Sequence, residues 1–359
     1  MPSPTFSLVS GQRRQLLRVA TALPAAMLLT ACGGADSDQP EALEPPSSIA
    51  VTDRRVLVAP GVALHVRDWQ SGRLAGPTFV LLPGFGASAA HFNSLARALA
   101  QRGRAIAISC RGFGRSDKPL PDDAHRYDTE TLVDDVHAVL QVLGVDRIVL
   151  GGHSMAGNQV TLFAGRYPER VRGLIYLDTN FDYTTVSPDD SEDPLLAEPE
   201  PTEVDTSSVA AMIAFNQRLN RNWSAPMEAD LIDKLEIKAD GRVGFNTPDA
   251  VAMAMYTAGR QFSPDYKTVR APALVLTALP GDWRDLCPWM AIDGDAQAKE
   301  AANASVRLFN TVRSPDADRL FAALPVGSQR ALFQPATHAD FFIEHEAEVL
   351  RLVDAMGWR

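Results

Sequence analysis

The sequence contains little cysteine and none of the spacings that hold a metal or a dinucleotide. Three cysteines in 359 residues cannot form a disulfide-rich framework, and no C-x-x-C or H-E-x-x-H pattern indicates a metal site. No G-x-G-x-x-G pattern opens a nucleotide site, so we expect no cofactor. A formal net charge of −10 argues against a nucleic-acid partner, because its phosphates would be repelled.

Long apolar runs are scarce, and the clearest one lies near the amino terminus. Residues 19–30 form an apolar run that is too short to span a bilayer, and small residues close it before Cys32. This order predicts a signal peptide over residues 1–31, and the preceding pair Arg13 and Arg14 resembles a twin-arginine export signal. The ending Leu-Thr-Ala-Cys resembles the lipobox of bacterial lipoproteins, which implies lipidation of the Cys32 thiol. The alternative is an ordinary signal peptide that contains a cysteine.

Residues 32–50 have the composition of a linker. The segment is acidic and proline-rich and has no apolar periodicity, so we expect a disordered tether between a lipid and a folded part. The protein would then be anchored to a membrane of the bacterial cell envelope, at the periplasmic face or in the outer membrane.

From residue 51 onward, short apolar runs alternate with segments of helical periodicity. Strand-like runs at 78–82, 105–109 and 147–150 are each followed by a helical pattern. Such alternation is typical of a mostly parallel sheet covered by helices. We therefore predict an α/β fold.

The third of these strands leads into Gly152-His153-Ser154-Met155-Ala156, a serine surrounded by small residues. A sharp turn between a buried strand and a packed helix leaves room only for small residues two positions on either side of its apex. The apex serine is then strained, with its oxygen exposed and its backbone at a helix amino terminus, where N–H groups favour negative charge. We predict that Ser154 is a nucleophile.

Four motifs together resemble the α/β-hydrolase family, and specifically its single-domain members with a helical cap. They are LLPGFG at 81–86, RGFGRSDKP at 111–119, GHSMAG at 152–157 and THADFF at 337–342. The resemblance extends over residues 51–359 and implies a mostly parallel eight-stranded sheet with helices on both faces and a cap inserted after the sixth strand. It also implies the order nucleophile, acid, histidine along the chain.

A serine hydroxyl needs a general base. His338 lies in a loop after an apolar stretch, where the family keeps its base, and we predict this role for it. His345 is interpreted as a solvated residue of the terminal helix, and His153 as a packing residue beside the nucleophile. The remaining histidines precede the nucleophile turn without a motif: His65, His91, His125 and His137.

The orienting acid has three candidates. In the family it follows the strand after the cap, here residues 272–277, and Asp282 is preferred because it follows a glycine in the loop that should face His338. That loop is a residue longer than the common pattern, so Asp285 in the same loop is an alternative. Asp178, directly after an apolar strand, is a second family position for this carboxylate.

The resemblance also implies an oxyanion hole made of two backbone N–H groups. These belong to Phe85, after Pro83-Gly84, and to Met155, after the nucleophile. The family usually has histidine where this chain has Pro83. Donation survives that change because it needs only the N–H of Phe85.

The chain changes character after Asp178. It becomes acidic and proline-containing, and helical patterns follow at 210–219 and 227–237. The predicted division is hydrolase core over 51–180, cap over 181–262 and hydrolase core over 263–359. Five side chains either line a pocket or form the cap's own core: Met212, Phe215, Met253, Met255 and Tyr256. The stretch 283–323 could add a further lid element.

Two cysteines remain besides Cys32. In the family's strand order, the strand ends that carry Cys110 and Cys287 lie four positions apart, at about 4.8 Å each, which is beyond disulfide reach. We expect two free thiols.

The expected activity is hydrolysis of a small-molecule carboxylic ester by a Ser-His-Asp triad through an acyl-enzyme intermediate. The family's dehalogenases and epoxide hydrolases use an aspartate nucleophile, so a serine argues against both. Amide, lactone, thioester and carbon–carbon bonds remain open. So does a binding or receptor protein that keeps the fold without catalysis.

Overall fold

One eight-stranded sheet organises the protein. The structure is a computed structural model, and it describes residues 49–72, 76–179, 182, 184, 196–290 and 295–358. The strands are β1 (Ala50–Ala59), β2 (Val62–Gln70), β3 (Thr78–Leu82), β4 (Arg104–Ile108), β5 (Ile148–His153), β6 (Val171–Leu177), β7 (Leu235–Ile237), β8 (Val243–Phe245), β9 (Ala273–Ala278) and β10 (Gln329–Phe333). The pair β7 and β8 forms a separate two-stranded sheet.

The order across the large sheet is β1-β2-β4-β3-β5-β6-β9-β10. Strand β2 is antiparallel to β1 and β4, and every pairing from β4 to β10 is parallel. The central strands are buried along almost their whole length, because a parallel sheet is covered on both faces. The predicted eight-stranded, mostly parallel sheet is confirmed.

Helices cover both faces of this sheet. They are α1 (Asn93–Leu99), α2 (Thr129–Val142), α3 (Ala156–Arg166), α4 (Val209–Arg218), α5 (Ala225–Asp233), α6 (Asp249–Gln261), α7 (Trp283–Leu286), α8 (Ala296–Ala323), α9 (Phe341–Glu344) and α10 (Glu346–Ala355). Alternate residues of β3 enter two different cores: Val80 packs in one, and Phe79 and Leu81 in the other. This period of two places the cores on opposite faces of the sheet.

The insertion between β6 and β9 carries α4, α5, the β7–β8 hairpin and α6, as the prediction of a cap requires. The helix expected over 227–237 ends at Asp233, and Leu235–Ile237 instead pairs with Val243–Phe245. Gly241 has a positive φ of 80° in the connecting turn, a conformation that glycine adopts without strain. A second insertion, between β9 and β10, contains the 28-residue helix α8.

The predicted signal peptide and Cys32 lie outside the described residues, as does the tether up to residue 48; β1 begins at Ala50. Among the residues that the structure describes, no helix combines the length and apolar character needed to cross a membrane. Cys110 and Cys287 are both free and buried, as predicted.

Candidate active site

Ser154 lies at the apex of the turn between β5 and α3. Its φ is +53°, in the left-handed region that is strained for residues other than glycine. Its N–H donates to the carbonyl of Leu177, at 3.2 Å, which fixes the turn on the neighbouring strand. A Cβ at Gly152 would lie 2.6 Å from Val160 Cγ2. The small residue that the sequence analysis singled out is therefore required by the close approach of strand and helix.

The loop after β3 packs directly on this turn. A Cβ on Gly84 would lie 2.9 Å from the Cβ of Ser154 and 2.9 Å from Nδ1 of His153. A side chain at this position would displace Ser154, so glycine is needed here. The close approach brings the peptide that follows, at Phe85, beside Ser154.

His338 lies in the loop between β10 and α9. Its Nε2 is 2.9 Å from Ser154 Oγ. The loop is attached to the end of β9 by two hydrogen bonds: Leu279 N–H donates to Phe333 at 2.9 Å, and Ala336 N–H donates to Leu279 at 3.0 Å. The sheet edge thus positions the imidazole beside the Ser154 hydroxyl.

Asp178 is the carboxylate beside His338. His338 Nδ1 donates to Asp178 Oδ2 at 2.5 Å, and Ala278 N–H donates to Asp178 Oδ1 at 3.0 Å. Asp178 is fully buried at the end of β6 and has a φ of +47°. A buried carboxylate that accepts a hydrogen bond on each oxygen has the properties that orient an imidazole.

Asp282 is the candidate preferred from the sequence for the carboxylate beside His338, and this prediction is wrong: Asp178 makes that contact. Asp282 instead caps α7 through the N–H of Arg284 at 2.8 Å and pairs with that arginine's guanidinium. Asp285 is buried, but it accepts the N–H of Gly281 at 2.8 Å and pairs with Arg221. Asp282 thus stabilises its own loop, and Asp285 connects that loop to Arg221, 64 residues earlier in the chain.

Arg313 is a functional candidate that the sequence analysis missed. It lies in α8, and its Nη1 donates to Asp178 Oδ2. Burial opposes ionisation of Asp178, but the charge of Arg313 and the hydrogen bonds from His338 and Ala278 outweigh it, so the pKa of Asp178 lies below its usual range. No local motif marks Arg313, because its partner is 135 residues away in the chain.

His153 contacts the loop that carries His338 as well as packing beside Ser154. Its Nε2 donates to the carbonyl of His338 at 2.8 Å. Burial, followed by the charges of His338 and His91, holds the pKa of His153 well below its usual value. A neutral imidazole therefore braces the His338 loop.

The other histidines have partners of their own. His65 hydrogen-bonds Asp53, His125 hydrogen-bonds Asp122, His137 stacks on Tyr167, and His91 packs against Phe342. His345 lies between α9 and α10 and packs on Phe333, rather than inside the terminal helix as expected.

Phe85 and Met155, predicted as oxyanion donors, line one cavity. The space between its walls, counted together with the part that is open to solvent, is about 360 Å³. Its wall is mostly apolar and also includes Pro83, Gly84, Cys110, Phe113, Tyr127, Leu132 and Met255. Among the five cap candidates, Met255 lines it, whereas Met212 and Phe215 pack in the cap's own core. In the described part of the chain, no three His, Cys, Asp or Glu side chains group as a metal site.

Comparison with known proteins matches part of the chain to a hydrolase family model and to proteins named as hydrolases. The family model described as the alpha/beta hydrolase fold matches residues 77–204. The chain is 36% identical to bifunctional epoxide hydrolase 2 of Sus scrofa over 141 residues, which are 38% of this chain and 24% of that protein. It is 30% identical to 2-(acetamidomethylene)succinate hydrolase of Mesorhizobium japonicum over 117 residues, 33% of this chain and 39% of that protein. The matches thus span well under half of each relative.

Solved structures match over most of the chain. An E-2-(acetamidomethylene)succinate hydrolase has a TM-score of 0.57 at 19% identity, covering 85% of this chain and 98% of that one. A membrane phospholipase A, described as a bacterial virulence factor, has a TM-score of 0.55 at 20% identity, covering 85% of both chains. The strand order, the family model and the solved structures agree, and the chain has the alpha/beta hydrolase fold.

Proposed function

We propose that the protein is a serine hydrolase that cleaves a carboxylic ester or a related acyl bond of a small molecule. One observation carries the proposal: an unbroken series of contacts runs from Asp178 through His338 to Ser154, at 2.5 Å and 2.9 Å. A hydroxyl in contact with an imidazole that a carboxylate orients is the arrangement that activates serine.

The proposed reaction uses each of these groups once. Ser154 Oγ attacks the carbonyl carbon while His338 Nε2 takes its proton, and His338 then gives that proton to the leaving alcohol. Water, deprotonated by the same imidazole, hydrolyses the acyl-enzyme and regenerates the serine. Asp178 holds the imidazole in the tautomer with its proton on Nδ1.

The oxyanion would be bound by the N–H groups of Phe85 and Met155. Met155 is the residue before the first turn of α3, so the free N–H groups of that helix end favour the developing charge. One such donor is typically worth about 3 kcal/mol in the transition state. The packing of Gly84 on Ser154 supports the participation of Phe85.

A serine at the proposed nucleophile position also argues against two other reactions known for this fold, dehalogenation and epoxide opening. The Sus scrofa relative is named an epoxide hydrolase, and enzymes of that kind in this family use an aspartate at this position. We propose acyl transfer rather than epoxide opening, and an epoxide is the natural negative control.

The cavity supports a short apolar acyl group as the preferred substrate part. The two proposed oxyanion residues line it together with aromatic and aliphatic side chains. Pockets of this composition bind apolar groups and use few polar contacts for orientation.

Labelling with a fluorophosphonate probe tests the proposal. We expect a covalent adduct on Ser154, mapped by peptide mass spectrometry, and loss of the adduct in His338→Ala. Ser116→Ala is the matched control, since Ser116 is a buried serine that bonds the backbone of Ser109 and His65. A folded wild type that forms no adduct and cleaves no ester, amide or thioester would replace this proposal with a ligand-binding role.

We also propose that the protein is exported and anchored by a lipid on Cys32. The order of basic segment, short apolar run and Leu-Thr-Ala-Cys supports this. Expression of the full chain in a bacterium fed with radiolabelled palmitate should label the wild type and leave Cys32→Ser unlabelled. Label in both proteins would contradict the assignment.

A further inference from the structure

Arg313 contacts Asp178 from helix α8, which contributes no other residue to the proposed reaction. Its side chain is only 8% exposed, and Nη1 contacts the same Oδ2 of Asp178 that accepts the hydrogen bond from His338 Nδ1–H. The other oxygen, Oδ1, accepts the N–H of Ala278. The carboxylate therefore has three donors, and a permanent cation and the imidazole share one oxygen.

The helix itself positions this guanidinium. The carbon at its centre lies 4.1 Å from the centroid of the Phe309 ring, one helical turn earlier. Residues four apart share one face of a helix, and stacking on an aromatic ring fixes the guanidinium plane. The neighbouring Asp316 is paired with Arg319 at 3.0 Å.

The charges of the site require such a cation before the reaction starts. The Asp178 side chain is fully buried, and a buried carboxylate ion is costly unless a charge partner compensates it. His338 must be neutral in order to take the proton of Ser154, so it cannot be that partner in the resting state. Arginine is charged at every relevant pH.

We propose that Arg313 is a positioning residue that keeps the Asp178 carboxylate ionised and aimed at His338, and that it makes the α8 insertion part of the catalytic site. This inference rests on the proposed function of the triad. The charge of Arg313 holds the pKa of Asp178 low, so the wild type stays active to lower pH than a protein without Arg313.

Other titratable groups lie near this pair and must be separated from it. They are His153 on β5, His91 in the short helix after β3, the buried Asp230–Lys234 pair beside His91, and Asp340 in the His338 loop. Burial lowers the pKa values of His153 and His91, so both are neutral near pH 7. Burial, with the charges of Glu344 and Asp285, raises the pKa of Asp340 to about 7, so each profile is repeated with Asp340→Asn.

The test compares Arg313→Met, Arg313→Lys and Arg307→Met in the otherwise intact protein. Arg307 lies on the same helix and is exposed, at 65%. The kcat/KM for p-nitrophenyl acetate is measured from pH 5 to 9, and the His338 ring is followed by NMR in histidine-labelled protein. For Arg313→Met we expect the acid limb of the pH profile to move to higher pH by about one unit and the NMR signal of the His338 Nδ1 proton to change. Arg313→Lys keeps the charge without the stacked plane and should lie between Arg313→Met and the wild type, whereas Arg307→Met should match the wild type.

The two readouts separate the two proposals. A changed His338 Nδ1 proton signal in Arg313→Met, in a protein whose wild type cleaves no ester, would uphold the role of Arg313 and remove the proposed function. If Arg313→Met lowers activity equally at all pH values and leaves that signal unchanged, Arg313 is structural only and the inference is overturned. Should Arg313→Met fail to fold, Arg313→Gln provides the same comparison, and the lysine variant must still lie closer to the wild type than Arg313→Gln does.

Discussion

Ser154 and Asp178 occupy equivalent positions on neighbouring strands: each is the first residue beyond its strand, and each has a left-handed backbone, with φ of +53° and +47°. The register pairs His153 with Leu177, so the two residues that follow lie side by side at the sheet edge. Left-handed backbone is costly for residues other than glycine and persists where surrounding structure enforces it. In this protein the left-handed backbone turns the chain away from each strand and directs the side chains of Ser154 and Asp178 towards His338.

The identity of the orienting acid gives the first prediction. Asp178→Asn should lower kcat for p-nitrophenyl acetate by about 10⁴, because an amide does not hold the imidazole in the required tautomer. Asp282→Asn, on an exposed side chain that bonds Arg284, should leave kcat unchanged. Circular dichroism at 25 °C checks that both variants are folded. Equal losses in the two variants would contradict the assignment to Asp178.

The positions of Ser154 and His338 beside each other could be predicted from sequence because their signals are local. Ser154 needs small neighbours on a strand-to-helix turn, and His338 follows the last strand, so a short segment carries each signal. The acid could not be ranked correctly. Which of two loops faces His338 depends on how the chain ends of β6 and β9 pack, and both loops contain aspartate.

Longer-range features had no local signal at all. Arg313 is one of several polar residues on a long helix, and only the packing of α8 brings it to Asp178. The hairpin of β7 and β8 was predicted as the end of a helix, because residues 227–237 have apolar residues at helical spacing. The pairing of Leu235 with Phe245 across a turn overrode that local preference.

The bracing of the His338 loop by His153 gives a second prediction. His153→Phe keeps an aromatic ring against Phe342 but removes the donor to the His338 carbonyl. A buried carbonyl left unpaired costs about 1–3 kcal/mol, and part of that cost should appear as misplacement of the imidazole. We expect kcat to fall about tenfold with a smaller change in KM. His137→Phe, which keeps a ring against Tyr167, is the control, and unchanged kcat in His153→Phe would refute the bracing role.

The cavity wall gives a third prediction, about chain-length preference. Met255 is buried and lines the cavity, whereas Met253, on the same helix, is 37% exposed. Met255→Trp should fill the space for an acyl chain and lower kcat/KM for p-nitrophenyl hexanoate by about tenfold or more, with little effect on the acetate. Met253→Trp should change neither. A loss that follows the alcohol part of the ester instead of the acyl part would assign the cavity to the leaving group.

The last prediction concerns stability, and it holds whether or not the protein is an enzyme. Burial, then the charge of Glu344, raises the pKa of Asp340 to about 7, above the value of about 3.9 expected in the unfolded chain. A raised acid pKa means that the folded state binds its proton more tightly. The stabilisation is therefore fully present below about pH 4 and is lost as the pH rises towards and through 7.

Asp340→Asn cannot ionise, so it should escape this loss. We expect its melting temperature, relative to that of the wild type, to rise by several degrees between pH 5 and pH 8. Asp282→Asn, at an exposed position, should show no such change. A constant difference between Asp340→Asn and the wild type across this range would mean that Asp340 is ionised in the folded protein throughout, and that its orphaned Oδ1 is tolerated as a charge.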